Sequence, residues 1–349
     1  MDLAAVGEAI AGAAGRLFRL HGTGLGSVLS PMVLGSTLAI CLALWLYRRP
    51  GEPFLAWLLP ARVWWQRGTW IDVALFLGNG LAGGMIALNS AAVATATALL
   101  MWTWFGIMPA APTSWGALWG ALVVFLASDF TGYAYHRLYH RVAFLWPFHA
   151  VHHAAEEMNP ITAFRHHPLF SLSELVIYGV MLGVVQALAV VLLTGTMDLA
   201  TLAGTNVFFA VFRLAGANLR HSHIWLRYPA WLEHILISPA QHQIHHSVDP
   251  RHHDRNYGEV LAVWDWIGGS LHVTRPEEAG LAFGLGDAAG NRLPQPYPRL
   301  RDALLRPVAE SWRVLRPHTG RGRPAMTGIA PRPPLRDDLS GKPNLEDLK

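Results

Sequence analysis

The stretch Ala121-Leu-Val-Val-Phe-Leu-Ala-Ser-Asp129-Phe-Thr-Gly-Tyr-Ala-Tyr-His136-Arg-Leu-Tyr-His140 decides the fold. Its first half closes a run from Val73 to Ser128 that holds no Asp, Glu, Lys or Arg. Its second half sets two imidazoles four residues apart, which puts both on one face of a helix. An uncharged segment long enough to cross a hydrocarbon core, ending in an acid and two histidines, predicts a membrane span with a polar site at its mouth.

The rest of the chain agrees with a lipid environment. Of 349 residues, 52% are apolar and only 14% are charged, against roughly 25% charged in an ordinary soluble domain. Many of the 15 Trp lie near the ends of apolar runs, as at a membrane interface. Gly22 to Tyr47 is uncharged and stops at Arg48-Arg49-Pro50. Pro109 and Pro112 break the long run, leaving Trp115–Tyr135 as a single span. Leu175 to Met197 is another uncharged stretch, and Leu199 to Leu214 a shorter apolar one, joined by a turn at Thr194–Asp198.

Arg48, Arg49, Arg62 and Arg67 place the loop that carries them in the cytoplasm by the positive-inside rule. Counting crossings from there brings every histidine cluster to the same side, while Arg16 and Arg19 fall outside against the rule. The expected fold is all-α, with about four to five membrane spans and a cytoplasmic helical cap. Its expected parts are N-terminal spans with an interfacial loop (1–114), a catalytic domain (115–275) and a polar, partly disordered tail (276–349). Within that tail Leu300–Leu315 has an amphipathic pattern interrupted by Pro307, and disorder is expected from Pro317 onward. Asp2 and Glu8 precede the first Arg, unlike a secretory leader.

The net charge is +4 with no basic face, which disfavours nucleic-acid binding. A single cysteine, Cys41, excludes a disulfide framework, a cysteine-ligated zinc fold and an iron–sulfur cluster. The 18 histidines are the anomaly. Besides His136 and His140, they form His149-Ala-Val-His152-His153 and His242-Gln-Ile-His245-His246. A given HxxHH pattern should arise by chance roughly 0.05 times in a chain of this composition, and here there are two. Neutral imidazole is the commonest protein metal ligand.

His221-Ser-His223 follows the last apolar run and offers His221 as a ligand, with His223 as a weaker candidate. His167, after His166, reads equally as pocket lining or ligand. His252 and His253 lie in a polar loop and read as solvated. Asp129 stands two helical turns before His136, so the expectation is that it orients that imidazole, or ligates metal itself. Eight or nine histidines exceed the three protein ligands of one catalytic zinc. Two octahedral metals would use them, and iron suits O₂ activation.

In sequence and spacing, Asp129 to His140, Phe148 to His153, Thr162 to Leu169, His221 to Ile224, Ser238 to Ser247 and Asn256-Tyr-Gly…Trp264-Asp-Trp resemble the fatty acid hydroxylase/sterol desaturase superfamily. The resemblance implies an integral-membrane, non-haem enzyme with two iron ions, O₂ and an external electron donor, acting on fatty acyl chains, sterols or related lipids. Its ligands would be His136, His140, His149, His152, His153, His221, His242, His245 and His246. The family often has Asn at the position of His223. No His-Pro-Gly-Gly haem motif occurs, so a separate ferredoxin or cytochrome b5-like protein would supply electrons. Hydroxylation is favoured, with desaturation on the same site as the alternative. Outside this class stand a histidine-rich metal transporter and a zinc hydrolase using Glu156 or Glu157 as base.

Overall fold

The computed structural model describes residues 29–85, 90–106, 117–189 and 207–316. The expectations for the first 28 residues, for Pro109 and Pro112, for the Thr194–Asp198 turn and for the tail from Pro317 lie outside the described residues. Among the described residues the chain is helical, with isolated bridges and no strand.

Helix α1 (Pro31–Arg48) starts where the Ser30 hydroxyl accepts from the Val33 amide at 3.3 Å, with Pro31 in the first turn. It ends at Arg49, whose φ of 47° turns the chain out of the helix. Two short helical turns, Phe54–Leu58 and Ala61–Trp64, lead into α2 (Arg67–Met85) and α3 (Ser90–Phe105). Helix α4 (Ala117–Arg141) carries the first histidine pair, and α5 (Trp146–His153) the next cluster. Helix α6 (Pro168–Ser173) runs through a π turn at Glu174–Tyr178 into α7 (Gly179–Ala189). Then come α8 (Val207–Leu214), a 3₁₀ turn (Ala217–His221), α9 (Pro239–His245), α10 (Val263–Ile267) and α11 (Leu300–Leu315).

Side-chain registers fix the directions of these helices. Tyr139 packs on Phe170 at 4.6 Å between ring centroids, Tyr135 on Tyr178 at 5.7 Å, and Gln186 reaches Ser128 at 3.5 Å. Helix α4 is therefore antiparallel to α6–α7. Gly183 sits against Ala94 and Thr97, and Ala187 against Ala98 and Trp102, so α3 runs in the same direction as α7. A Cβ at Gly183 would lie 2.5 Å from the Ala94 carbonyl oxygen; only glycine permits that approach. Arg48 at the end of α1 donates to the Trp225 carbonyl, and Asn218 reaches Thr37 of α1 at 3.3 Å. Helices α1, α4 and α8 thus run toward one end of the molecule, and α3 and α6–α7 run away from it. That end carries the histidines.

Two described helices, Pro31–Arg48 and Pro168–Leu188, are long and apolar enough to cross a membrane. Helix α3 is shorter, and α4 carries Asp129, Arg137 and Arg141 within its length. Along α1 the outward face reads Leu34, Leu38, Leu42 and Leu46, all exposed, while Val33 and Cys41 are buried. Exposed apolar stripes of this kind are normal against lipid and costly against water.

The segment from 276 to 316 is not a loose tail. Tyr297 and Ala303 complete a core with Ile71, Leu75, Ala150 and Val151. Ser311 donates to the Phe144 carbonyl at 2.7 Å, and Gln295 to that of Ala154 at 2.7 Å. Helix α11 forms straight through Pro307 and covers the outer side of α5. Residues 295–311, beyond the expected boundary at 275, thus pack against α2 and α5.

Candidate metal centre

Nine histidines converge in two groups. His136, His140, His149, His153 and His245 form one, and His152, His221, His242 and His246 the other. These are the nine positions singled out in the sequence. Within the first group the Nε2 atoms of His136 and His149 are 3.0 Å apart, and those of His149 and His153 are 3.2 Å apart. Within the second, His152 and His221 approach to 3.2 Å, His221 and His242 to 3.0 Å, and His242 and His246 to 3.3 Å. Nitrogens bound to one cation at about 2.1 Å lie roughly 3 Å apart at adjacent corners. The spacing is therefore that of two coordination shells.

Each HxxHH element divides between the groups. His149 and His153, one helical turn apart, face the first group, while His152 faces the second. In α9 the pair His242 and His246 faces the second group and His245 the first. The groups touch through His153 and His246, stacked with centroids 4.5 Å apart.

Two of the ring orientations are set by backbone carbonyls. His136 Nδ1 donates to Tyr257 O at 2.9 Å, and His245 Nδ1 to Arg255 O at 2.7 Å. Each of these bonds leaves the Nε2 lone pair free and aimed into the group. His245 Nε2 is buried with no hydrogen-bond partner, an arrangement a cation resolves. Burial, reinforced by neighbouring imidazoles, pushes the pKa values of His149, His152, His153, His221, His242, His245 and His246 well below the ordinary 6.5. All seven are held neutral, the form that ligates metal.

The other candidates lie elsewhere. His167 caps α6: its Nδ1 accepts from the Leu169 amide at 3.0 Å and its Nε2 donates to Leu304 O at 2.9 Å, so both nitrogens are used. His223 Nε2 donates to Trp57 O at 2.8 Å. His166 stands edge-on beside His152, at 5.1 Å, outside both groups.

Asp129 corrects an expectation. It does not reach His136. Its fully buried carboxylate accepts from the amides of Val260 at 2.9 Å and Leu261 at 3.0 Å, and from Trp264 Nε1 at 2.9 Å. Two helical turns put Asp129 and His136 on one face, but the chain segment 257–261 passes alongside that face and takes both side chains.

Three sets of buried polar residues have roles that the sequence alone does not show. Asp265 accepts from the Tyr257 amide at 2.9 Å, the Gly258 amide at 2.7 Å and the Ser270 hydroxyl at 2.6 Å, so two carboxylates pin the strip that holds His136. At Gly258 a Cβ would lie 2.7 Å from Leu261 O and 2.9 Å from Asp265 Oδ2. Arg165 donates to Val151 O at 2.8 Å and pairs with Asp72 at 2.6 Å, both side chains 1% exposed; this ties α5 to α2. Gln243 donates to Leu219 O and Ile224 O, each at 3.0 Å, and fixes α9 against the His221 turn. The Ser238–Gln241 capping box starts that helix. The Ser-Pro-x-Gln pattern before His242 was the available signal; the distant partners left none.

The sequence is similar to that of known proteins. Residues 121–270 match the family model described as fatty acid hydroxylase. The chain is 26% identical over 230 residues to an alkylglycerol monooxygenase of Danio rerio, covering 63% of this chain and 44% of that protein. It is 27% identical over 182 residues to the alkylglycerol monooxygenase of Homo sapiens, covering 49% and 34% respectively. The ornithine lipid hydroxylase OlsE of Rhizobium tropici is 28% identical over 192 residues, covering 54% and 53%. The chain spans about half or less of the length of these relatives. No solved structure matches it.

Proposed function

We propose that this chain, a member of the fatty acid hydroxylase/sterol desaturase superfamily, is an integral-membrane non-haem di-iron oxygenase that hydroxylates a lipid. The observation that carries this reading is the division of nine buried histidines into two groups with coordination-shell spacing. When bound there, two iron ions would supply O₂ activation, with electrons from a separate ferredoxin or cytochrome b5-like protein. His136, His140, His149, His153 and His245 would hold one iron, and His152, His221, His242 and His246 the other. The Tyr257 and Arg255 carbonyls keep the Nδ1 protons of His136 and His245, so these rings present lone pairs to the metal. Asp129 acts as a positioning residue, through the strip that carries Tyr257.

The relatives' names, alkylglycerol monooxygenase and ornithine lipid hydroxylase, support hydroxylation of a lipid over its desaturation. The alternating directions of α1, α3, α4 and α6–α7 support about four to five crossings, with the histidines at one membrane face. Arg48, Arg49, Arg62 and Arg67 favour the cytoplasm as that side. The catalytic domain of 115–275 then rests on α11 as its outer support. A zinc hydrolase using Glu156 or Glu157 as base is disfavoured, because both acids line a cavity with Arg67, Arg165, Arg292 and Gln295 that holds no histidine.

The test is metal analysis of the full chain in detergent, beside a variant with His149, His152 and His153 all changed to Ala. Close to two irons per chain, lost in the variant, together with lipid-dependent O₂ consumption, is the expected result. Zinc in place of iron after anaerobic, iron-replete expression would overturn the oxygenase reading.

A further inference from the structure

A third histidine cluster lies outside the two groups. His252, His272 and Glu278 bring one ligand atom each within 4.8 Å of one another. In sequence His252 reads as solvated, yet its side chain is 2% exposed. The reason is local: the 3₁₀ turn Pro250–His252, capped by Asp249, folds the imidazole inward. Its Nδ1 is buried without a hydrogen-bond partner, and its Nε2 meets only Glu278 Oε1, at a long 3.5 Å. Such a residue is costly unless something binds it.

Its neighbours are suited to that. Glu278 Oε1 lies 3.5 Å from His252 Nε2 and 2.9 Å from His272 Nε2. Its other oxygen accepts from the Arg275 amide at 2.8 Å, so the carboxylate is already oriented. Ligands bound to zinc at about 2.1 Å in a tetrahedron stand roughly 3.4 Å apart, and the two measured separations bracket that value. His272 and Glu278 are partly exposed, at 20% and 13%, which leaves a side for entry and for a water as fourth ligand. Two imidazoles and one carboxylate form a zinc-type donor set.

We propose that His252, His272 and Glu278 form a third cation site that binds zinc and clamps the 249–256 loop to the 271–278 segment. The two segments already meet through Asn256, whose Oδ1 accepts from the His272 amide at 2.7 Å and whose Nδ2 donates to His272 O at 3.1 Å. The clamped loop carries the Arg255 carbonyl that orients His245, and Asp254, 3.8 Å from His140 Nδ1. Zinc at the clamp therefore steadies two imidazoles of the first group from outside. The proposal does not rest on the identity of the metals held by the nine histidines.

The test is zinc and iron content of the full chain in detergent micelles, purified with both metals available, for wild type, Glu278→Gln and His252→Gln. The expected result is about one zinc per chain more in wild type than in either variant, with all other metal unchanged. The difference between proteins is the readout, so failure of the di-iron reading alters all three totals and leaves it intact. Equal zinc in wild type and both variants overturns the proposal. A second measurement separates the clamp from the nine-histidine groups: hydrogen exchange at 249–256 and 271–278 should slow more when zinc is added to chelator-treated wild type than to chelator-treated His252→Gln. Equal slowing in the two proteins, or none, also overturns it.

Discussion

The helical shaft and the histidine end are built by opposite rules. On α1 and α6–α7, Leu34, Leu38, Leu42, Leu46, Leu172, Val176 and Val180 face outward. At the histidine end Asp72, Asp129, Arg165, Glu233 and Asp265 are buried, with the imidazoles packed among them. The shaft gains little from hiding apolar surface where lipid is the solvent, so small-residue contacts such as Gly183 on Ala94 hold it. The end relies on polar groups that satisfy one another. Glu233 alone receives the Tyr228 and Thr274 amides and the Ser238 and Thr274 hydroxyls. A buried polar scaffold of this kind tolerates few substitutions, because each loss strands a partner; an apolar face against lipid tolerates many.

The largest expected effect sets a histidine inside a group against one outside. His152→Ala should remove the metal of the second group and abolish turnover, whereas His223→Ala should keep both; metal content and O₂ uptake read the contrast. Full metal content in His152→Ala would break the grouping. Acid comes next. The folded-state pKa values of His152, His153, His242 and His246 lie well below 6.5, so as pH falls past 6.5 the unfolded chain takes up protons that the folded chain refuses. Stability of the metal-free protein should be level above that pH and fall below it, with metal release in the same range. Unfolding midpoints from about pH 8 to about pH 5 check this.

Asp72→Ala should cost about 3–5 kcal/mol by stranding the buried Arg165 guanidinium, and the double change with Arg165→Met should recover most of it. Thermal denaturation in detergent measures both. Leu38→Lys on the shaft should cost about 3 kcal/mol in membrane insertion, while Leu38→Ala should cost far less. Equal insertion of Leu38→Lys and wild type would mean that this face does not meet lipid. The smallest effect belongs to Asp129→Asn, which keeps the shape but turns an amide donor toward N–H groups. A loss of about 1–3 kcal/mol is expected, read as a lower melting temperature with the metals retained.

Much of this contrast was legible in the residues. Uncharged runs mark the shaft because no charge is tolerated along a lipid-facing face, and that signal is continuous in sequence. Eight of the nine histidines stand out because their spacing repeats a helical turn, and His221 because it follows an apolar run. Helix α11 was harder to read, since its contacts to Phe144, Ala150 and His167 cross more than a hundred residues. His252 was misread because a polar loop such as Asp249 to Asn256 looks solvated until its partners on 271–278 are in place. Helical periodicity sets Asp129 on the face of His136, but it says where a side chain points and not which chain arrives there.

The sequence by itself determined which imidazoles gather, that they follow apolar helices, and the family that the residues resemble. Local rules suffice for that, since metal-ligand spacing and hydrocarbon length are both written within a few turns of chain. Only the tertiary structure decided how the histidines divide. His149 and His153 face one centre and His152 the other, and α9 divides likewise, with His245 facing the first centre and His242 and His246 the second. That division depends on how α4, α5, α9 and the His221 turn meet. Their meeting is set by Arg165 with Asp72, Gln243 with Leu219, and Asp129 with Val260, pairs joined across long stretches of chain.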